Sequence, residues 1–310
     1  MEIANSIEAE INKIRNDNSS GAYELALKAI NIIKNQIDLI KDPNKDIKDL
    51  IYKLSYKLIN TRPSMAPLIN SIGYILSSTD RFTKKSIAST IASYYKSQAI
   101  QKDSLEQNFN KLFMNTDISA PRIMLISYSS TILNLILKLK DRSFNFYVLE
   151  SRPLLEGQKM AKQLSKHFKT HLIIDASMGK FITEIDLILI GIDSILKGGA
   201  IINKVGTYPL SVLAKSNGKP VYAVGDSFKY NLRSHFDLPV EIVKKPNNEV
   251  FEGLNPSFQI ENYYFDITPP EYIEGLISDL GILPIRDFVK TIEDVLPINW
   301  FKKFINTKEV

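Results

Sequence analysis

The chain has 310 residues, 44% of them hydrophobic and 24% charged, enough apolar material for more than one core without a disulfide or metal staple. It contains no cysteine, so disulfides, thiolate metal sites and cysteine nucleophiles are all excluded, and its three histidines, His167, His171 and His235, give no basis for expecting a metal centre. A net charge of +5 spread over scattered lysines and arginines suits a phosphate-bearing ligand or an acidic partner and gives no reason to expect nucleic acid.

The first residues show no basic stretch followed by an apolar core, and no run approaches the ~18 apolar residues of a membrane span, so a cytoplasmic protein without a membrane partner is expected. From the start to about residue 115 the chain reads as helical. Ala22, Leu25, Ala26, Ala29, Ile30, Ile33, Ile37 and Ile40 keep the 3.6-residue period of one buried face. Ile51, Leu54, Leu58 and Ile59 repeat the pattern, Pro63 and Pro67 open a third helix, and a further helix is predicted over 82–100. The polar segment 115–121 ends in Pro121 and reads as a linker.

Beyond it the period changes. Short apolar runs at 123–126, 144–149, 172–174, 187–190 and 221–224 alternate with amphipathic stretches at 132–139, 157–168 and 208–216. Most of the runs are apolar on both alternations, as strands buried on both faces must be. The predicted architecture is therefore α/β: an N-terminal helical domain, 1–118, and a Rossmann-like domain, 119–310, with a mainly parallel, doubly wound sheet.

In such a sheet ligands bind beyond the carboxyl ends of the strands. Those ends carry Ser127-Tyr128-Ser129-Ser130, Glu150-Ser151-Arg152-Pro153, Asp175-Ala176-Ser177, Gly191-Ile192-Asp193-Ser194 and Gly225-Asp226-Ser227. Turn formers and helix caps account for part of this. Arg152 before a proline suits a phosphate or carboxylate better than it suits a turn. Ser129 and Ser130 would open a helix, where free N–H groups favour an anion. Asp193 leaves a buried strand, Gly198-Gly199 permits a sharp turn, and the polar pair Asn203-Lys204 follows between apolar neighbours. Asp193, Asn203 and Lys204 either share a ligand pocket or form a buried network in which Lys204 neutralises Asp193. The glycine-rich dinucleotide and P-loop fingerprints and the Gly-x-Ser-x-Gly elbow are absent, so no cofactor is expected.

Three strings resemble signatures of the alpha, beta and delta subunits of translation initiation factor 2B. They are Glu150-Ser151-Arg152-Pro153-Leu154-Leu155-Glu156-Gly157, then Gly191-Ile192-Asp193-Ser194-Ile195 with Asn203-Lys204-Val205-Gly206-Thr207-Tyr208-Pro209-Leu210, and the segment 265–273 that begins Phe265-Asp266. Thr61-Arg62-Pro63-Ser64 and Gly21-Ala22-Tyr23-Glu24 match weaker features. The resemblance spans nearly the whole chain and implies a superfamily shared with isomerases of methylthioribose 1-phosphate and ribose 1,5-bisphosphate. Those enzymes use a cysteine and an aspartate to interconvert aldose and ketose.

On that resemblance the cysteine position is taken by Ser127, whose hydroxyl, unlike a thiol of pKa ~8.5, has no ionised form at neutral pH without a base. Loss of one proton-transfer partner is expected to cost ~10²–10⁴ in rate. An arginine of the isomerases' Arg-Gly-Ala string is replaced in Ser20-Gly21-Ala22, and Glu156 stands where the isomerases tend to carry glutamine. The aspartate is kept as Asp193. The resemblance thus implies a ligand-binding set of Arg62, Ser127, Ser129, Arg152, Asp193, Asn203 and Lys204 with no catalytic residue, and Asp193 as the base in the alternative. It further implies a phosphorylated small-molecule ligand, the alpha subunit of initiation factor 2 as a partner of the N-terminal helices, and self-association through the α/β domain as a homodimer or higher even oligomer. The alternative is an active aldose-ketose isomerase.

Overall fold

The computed structural model describes residues 2–17, 21–114, 118–253 and 257–306. Five helices come first: α1 (Asn5–Asn16), α2 (Ala22–Asp38), α3 (Lys48–Thr61), α4 (Ala66–Ser77) and α5 (Lys84–Met114). Strands and helices then alternate: β1 (Arg122–Leu125), α6 (Ser130–Leu137), β2 (Asn145–Leu149), α7 (Glu156–Leu164), β3 (Lys169–Ile173), α8 (Met178–Phe181) and β4 (Leu187–Ile190). Next come β5 (Ser194–Ile195), β6 (Ile201–Lys204), α9 (Thr207–Ser216), β7 (Val221–Val224) and α10 (Leu232–His235). The chain ends with β8 (Phe265–Thr268), β9 (Gly275–Ser278), β10 (Gly281–Leu283), α11 (Ile285–Val295) and α12 (Asn299–Asn306). Residue Ser20 and the first three residues of the expected linker, 115–117, lie outside the described residues. Among the described residues no helix is long and apolar enough to cross a membrane.

Two compact units divide the chain. One holds Met1–Lys102, Ser227–Pro239 and Thr291–Val310, the other Asp103–Asp226 and Val240–Lys290. The first unit is helical. The periodic face read from α2 is its centre, with Ile30, Ile33 and Ile37 fully buried. Helix α4 is apolar nearly all round, and its Gly73 lies against the indole of Trp300 so closely that a Cβ would sit 2.2 Å from the ring. Asn70 on the same helix donates to the carbonyls of Phe228 and Tyr230, at 2.7 Å each, and so satisfies backbone that would otherwise be buried without a partner.

The second unit is built on a seven-stranded sheet of order β10-β9-β7-β4-β1-β2-β3, parallel except for the β9–β10 hairpin. Ile123, Leu125, Phe146, Val148 and Leu189 pack from the central strands against Phe109, Phe113, Met160 and Leu164 of the flanking helices. Each such side chain contributes ~1.5–3 kcal/mol on burial. Phe113, Phe144, Phe146 and Phe168 form a run of ring contacts, with centroids 5.1–5.8 Å apart, that closes one side of this core. A second, three-stranded sheet of order β5-β6-β8 is antiparallel.

Three expectations shift. The helix expected over 82–100 starts at Lys84 and runs on to Met114, because Leu105, Phe109 and Phe113 continue its apolar face into the second unit's core. The strand expected at 144–149 begins at Asn145. The strand expected at 172–174 is Lys169–Ile173, at the sheet edge, where Leu172 is 49% exposed and only one face is covered. Asn203 and Lys204, the polar pair between apolar neighbours, are the last two residues of β6, and both are buried.

The β2–α7 junction is the tightest point of the fold. Gly157, second residue of α7, is so close to the strand it follows that a Cβ would fall 1.7 Å from the Leu149 carbonyl oxygen. Since the obstacle is backbone, Gly157→Ala is expected to cost about 2–3 kcal/mol or more in urea unfolding. A change under ~0.5 kcal/mol would show that the junction yields freely.

Candidate functional site at the strand ends

The sheet order places a topological switch between β1 and β4: the chain runs from β1 to β2 and β3 on one side, and from β4 to β7 and β9 on the other. In open α/β sheets ligands bind at such a point, beyond the carboxyl ends of the strands. Ser127 and Ser129 follow β1, Arg152 follows β2 and Asp193 follows β4, so four of the seven sequence-predicted site residues come from three adjacent strands.

Two of these exits are strained and mutually tied. Ser127 and Ser151 both have φ 67°, a left-handed conformation that costs side-chain-bearing residues ~1–3 kcal/mol. Ser151, fully buried, donates its hydroxyl to Leu149 O at 2.9 Å, and its Oγ accepts the Ser127 N–H at 2.7 Å. The Asp175 carboxylate, from the end of β3, accepts the N–H groups of Ser151 and Arg152 at 2.8 and 2.7 Å. The Arg152–Pro153 peptide within this turn is cis. The Arg152 guanidinium is exposed and donates through Nη2 to the carbonyls of Glu249 and Val250, at 3.1 and 3.5 Å.

Ser129 is the N-cap of α6, its hydroxyl accepting the Ile132 N–H at 3.3 Å. A Cβ on Gly191, just past β4, would lie 3.2 Å from Ser129 Cβ and 3.4 Å from Asn203 Oδ1. Ser129 and Asn203 thus converge on Gly191. Asn203 donates to Thr207 Oγ1 at 3.0 Å, and Thr207 in turn donates to Lys204 O at 2.6 Å. Asp193 is half-buried; its N–H donates to Ile202 O at 2.9 Å, which fixes it beside β6. Gly199, with φ 84°, makes the sharp β5–β6 turn that Gly198-Gly199 led one to expect.

Lys204 has a different partner from the one considered. Its ammonium donates to Glu156 Oε1 at 3.0 Å, pairs with Oε2 at 2.9 Å, and lies 5.5 Å from the Tyr264 ring centroid. The carboxylate that neutralises it is thus the first residue of α7. The Tyr264 hydroxyl donates to Glu249, and burial first, then that carboxylate, pushes its pKa well above the usual phenol range.

Arg62 belongs to the helical unit. Its guanidinium donates to the carbonyls of Ile14, at 3.4 Å, and Asp17, so it holds the end of α1.

Sequence reasoning named Ser151, Asp175 and Glu156 at strand ends or in motifs without placing them in the ligand set. Their importance lies in pairings 23–48 residues apart that no local pattern encodes. Asp266 was also passed over. Its carboxylate accepts the N–H groups of Gly206 and Tyr208, at 2.8 and 3.1 Å, at the start of α9.

The model of the Initiation factor 2 subunit family matches residues 18–285. The chain belongs to that family. A translation initiation factor eIF-2B subunit 2-like protein of Pyrococcus horikoshii is 31% identical over 245 residues, 78% of this chain and 84% of the relative. A ribose 1,5-bisphosphate isomerase of Methanocaldococcus jannaschii is 25% identical over 297 residues, 94% of this chain and 95% of the enzyme. The crystal structure of a Pyrococcus horikoshii translation initiation factor eIF-2B superposes with a TM-score of 0.76 at 25% identity, covering 92% of this chain and 99% of that one. The relatives therefore divide between initiation factors and isomerases.

Burial raises the Asp266 carboxyl from 3.8 to about 6, against the pull of the α9 N–H groups. A carboxyl with a raised folded-state pKa favours the fold while protonated. Its contribution is complete below pH 3.8 and lost as pH rises through about 6. Relative to Asp266→Asn, the native protein should lose up to roughly 2 kcal/mol between these limits in chemical unfolding, after discounting for partial exposure. Parallel pH profiles for the two proteins would refute this.

Proposed function

We propose that this chain is a regulatory-subunit-like protein of the initiation factor 2B type. It binds a phosphorylated small molecule, a sugar phosphate or nucleotide, at the strand ends around the β1–β4 switch point and performs no chemistry on it. The observation that carries the reading is Ser127. The resemblance puts the isomerases' cysteine at this position, and here the residue is a hydroxyl in a strained turn whose N–H is bound by Ser151. Two of the three histidines are engaged away from it: His171 stacks on Tyr147 with centroids 4.7 Å apart, and His235 Nδ1 meets the Tyr230 hydroxyl at 2.9 Å. The ligand-binding set is that of the strand ends, Ser127, Ser129, Arg152, Asp193, Asn203 and Lys204, in a Rossmann-like domain, 119–310, that also carries self-association as a homodimer or higher even oligomer. The helices of 1–118 would meet the alpha subunit of initiation factor 2, and the protein would act in the cytoplasm.

A second reading has support of its own. Asp193 stands at the end of β4 beside β6, across the switch point from Ser127 and Ser129, where an aldose-ketose isomerase would need a base. A ribose 1,5-bisphosphate isomerase aligns with the chain almost end to end.

Incubation with ribose 1,5-bisphosphate and with methylthioribose 1-phosphate, followed by phosphorus NMR, separates the two. The expected outcome is no ketose product above background, with a ligand-dependent rise in melting temperature for a pentose phosphate or nucleotide that Arg152→Ala diminishes. Turnover that Asp193→Asn abolishes would overturn the regulatory reading in favour of the isomerase.

A further inference from the structure

The Lys204 ammonium is the most deeply buried cation at the strand ends, its side chain 4% exposed, whereas that of its partner Glu156 is 29% exposed. Both Glu156 oxygens lie within 3.0 Å of it. The carboxylate therefore occupies the side of Lys204 that an incoming anion would use. A buried cation is stable only when paired, and here the chain supplies the anion itself. The Tyr264 ring lies 5.5 Å from the same ammonium, and its hydroxyl is held by Glu249, whose backbone carbonyl accepts from Arg152. Glu156, Lys204, Tyr264, Glu249 and Arg152 thus form one connected polar chain between the ends of β2 and β6.

Such a chain leaves uncompensated positive charge at one end only, that of Arg152. Arg152 remains exposed, and of the five donors a guanidinium carries, those on Nη2 meet carbonyls that leave its charge uncompensated. It can take a phosphate. At Lys204 a second phosphate would have to displace Glu156 or lie against its negative charge, and like charges in a partly dry site repel strongly. Hydroxyl groups meet no such barrier, because they donate to a carboxylate and accept from an ammonium alike.

We infer that Glu156 is a specificity-determining residue: its carboxylate on Lys204 restricts the site to polyhydroxylated ligands bearing a single phosphate and turns away bisphosphates. This rests on the ligand-binding reading above and narrows it to a substrate class.

Calorimetric titration of the native protein and Glu156→Gln with ribose 5-phosphate and with ribose 1,5-bisphosphate tests it. The native protein should bind the monophosphate at least tenfold more tightly than the bisphosphate. In Glu156→Gln, which keeps the side-chain shape and releases the Lys204 charge, the ratio should move at least tenfold toward the bisphosphate. An unchanged ratio would mean that the ion pair is structural only and would overturn the inference while leaving ligand binding intact. So would a native preference for the bisphosphate, which needs no variant and holds even if Glu156→Gln fails to fold. Binding of neither compound by the native protein would overturn the ligand reading and the inference with it.

Discussion

The strand ends depend on one carboxylate. Asp175 accepts the N–H groups of Ser151 and Arg152 and so holds the exit of β2 in a turn the backbone would not adopt unaided. Charge-assisted hydrogen bonds of this kind are each worth ~1.5–3 kcal/mol, enough together to offset the left-handed conformation at Ser151. The consequence spreads along the sheet. With Ser151 fixed, its hydroxyl bridges Leu149 O and the Ser127 N–H, so the exit of β1 is set by the exit of β2, which is set in turn by the end of β3. The close approach of Gly157 to Leu149 then brings α7 in at the same place and delivers Glu156, its first residue, to Lys204.

A second frame meets this one from the other side. The β6–α9 turn approaches β1 so closely that a Cβ on Gly206 would lie 3.1 Å from Ile126 Cδ1, and Asp266 of β8 caps the helix that follows. Successive side chains of a strand point to opposite faces. Asn203 accordingly turns toward Gly191 and Ser129, and Lys204 toward Glu156. One short strand thus supplies a neutral amide beside Gly191 at the end of β4 and a paired cation beside β2. Burial of Lys204 without Glu156 would leave an uncompensated charge, a defect that typically costs ~3–5 kcal/mol. The pair is therefore at once a condition of folding and a feature of the site.

The central strands β1, β2, β4 and β7 were legible because both faces are buried and each reads as an unbroken apolar run. The edge strand β3 was misplaced by a few residues for the converse reason: Lys169, Thr170 and His171 are polar members of a half-covered strand, and the apolar signal comes only from its end. β6 escaped notice as a strand because its last two residues are Asn203 and Lys204, whose burial depends on Thr207 and Glu156. β9 and β10, four and three residues long and each opened by a glycine, carry too few alternations to register. The site was legible at the level of position: Ser127, Ser129, Arg152 and Asp193 follow from strand ends and the switch-point rule. Its electrostatics were not, since the choice of Glu156 over Asp193 as partner of Lys204 is made across 48 residues of sequence.

Family membership alone does not decide what the site does, because one fold carries both functions. The relatives align over most of the chain whether they are named as initiation factors or as isomerases. The decision falls to atoms at two strand ends. A catalyst for aldose-ketose exchange needs two groups that can hold and release a proton within reach of adjacent carbons. Asp193 can be one. On the β1 side stands Ser127, where the resemblance puts the isomerases' thiol, and a hydroxyl becomes a proton carrier only beside a base. The nearest bonded neighbour to the Ser127 backbone is another serine hydroxyl, whose own proton is committed to Leu149 O. The proposed ligand-binding reading therefore turns on the β1 side of the switch point, where a hydroxyl stands, and the isomerase reading turns on Asp193.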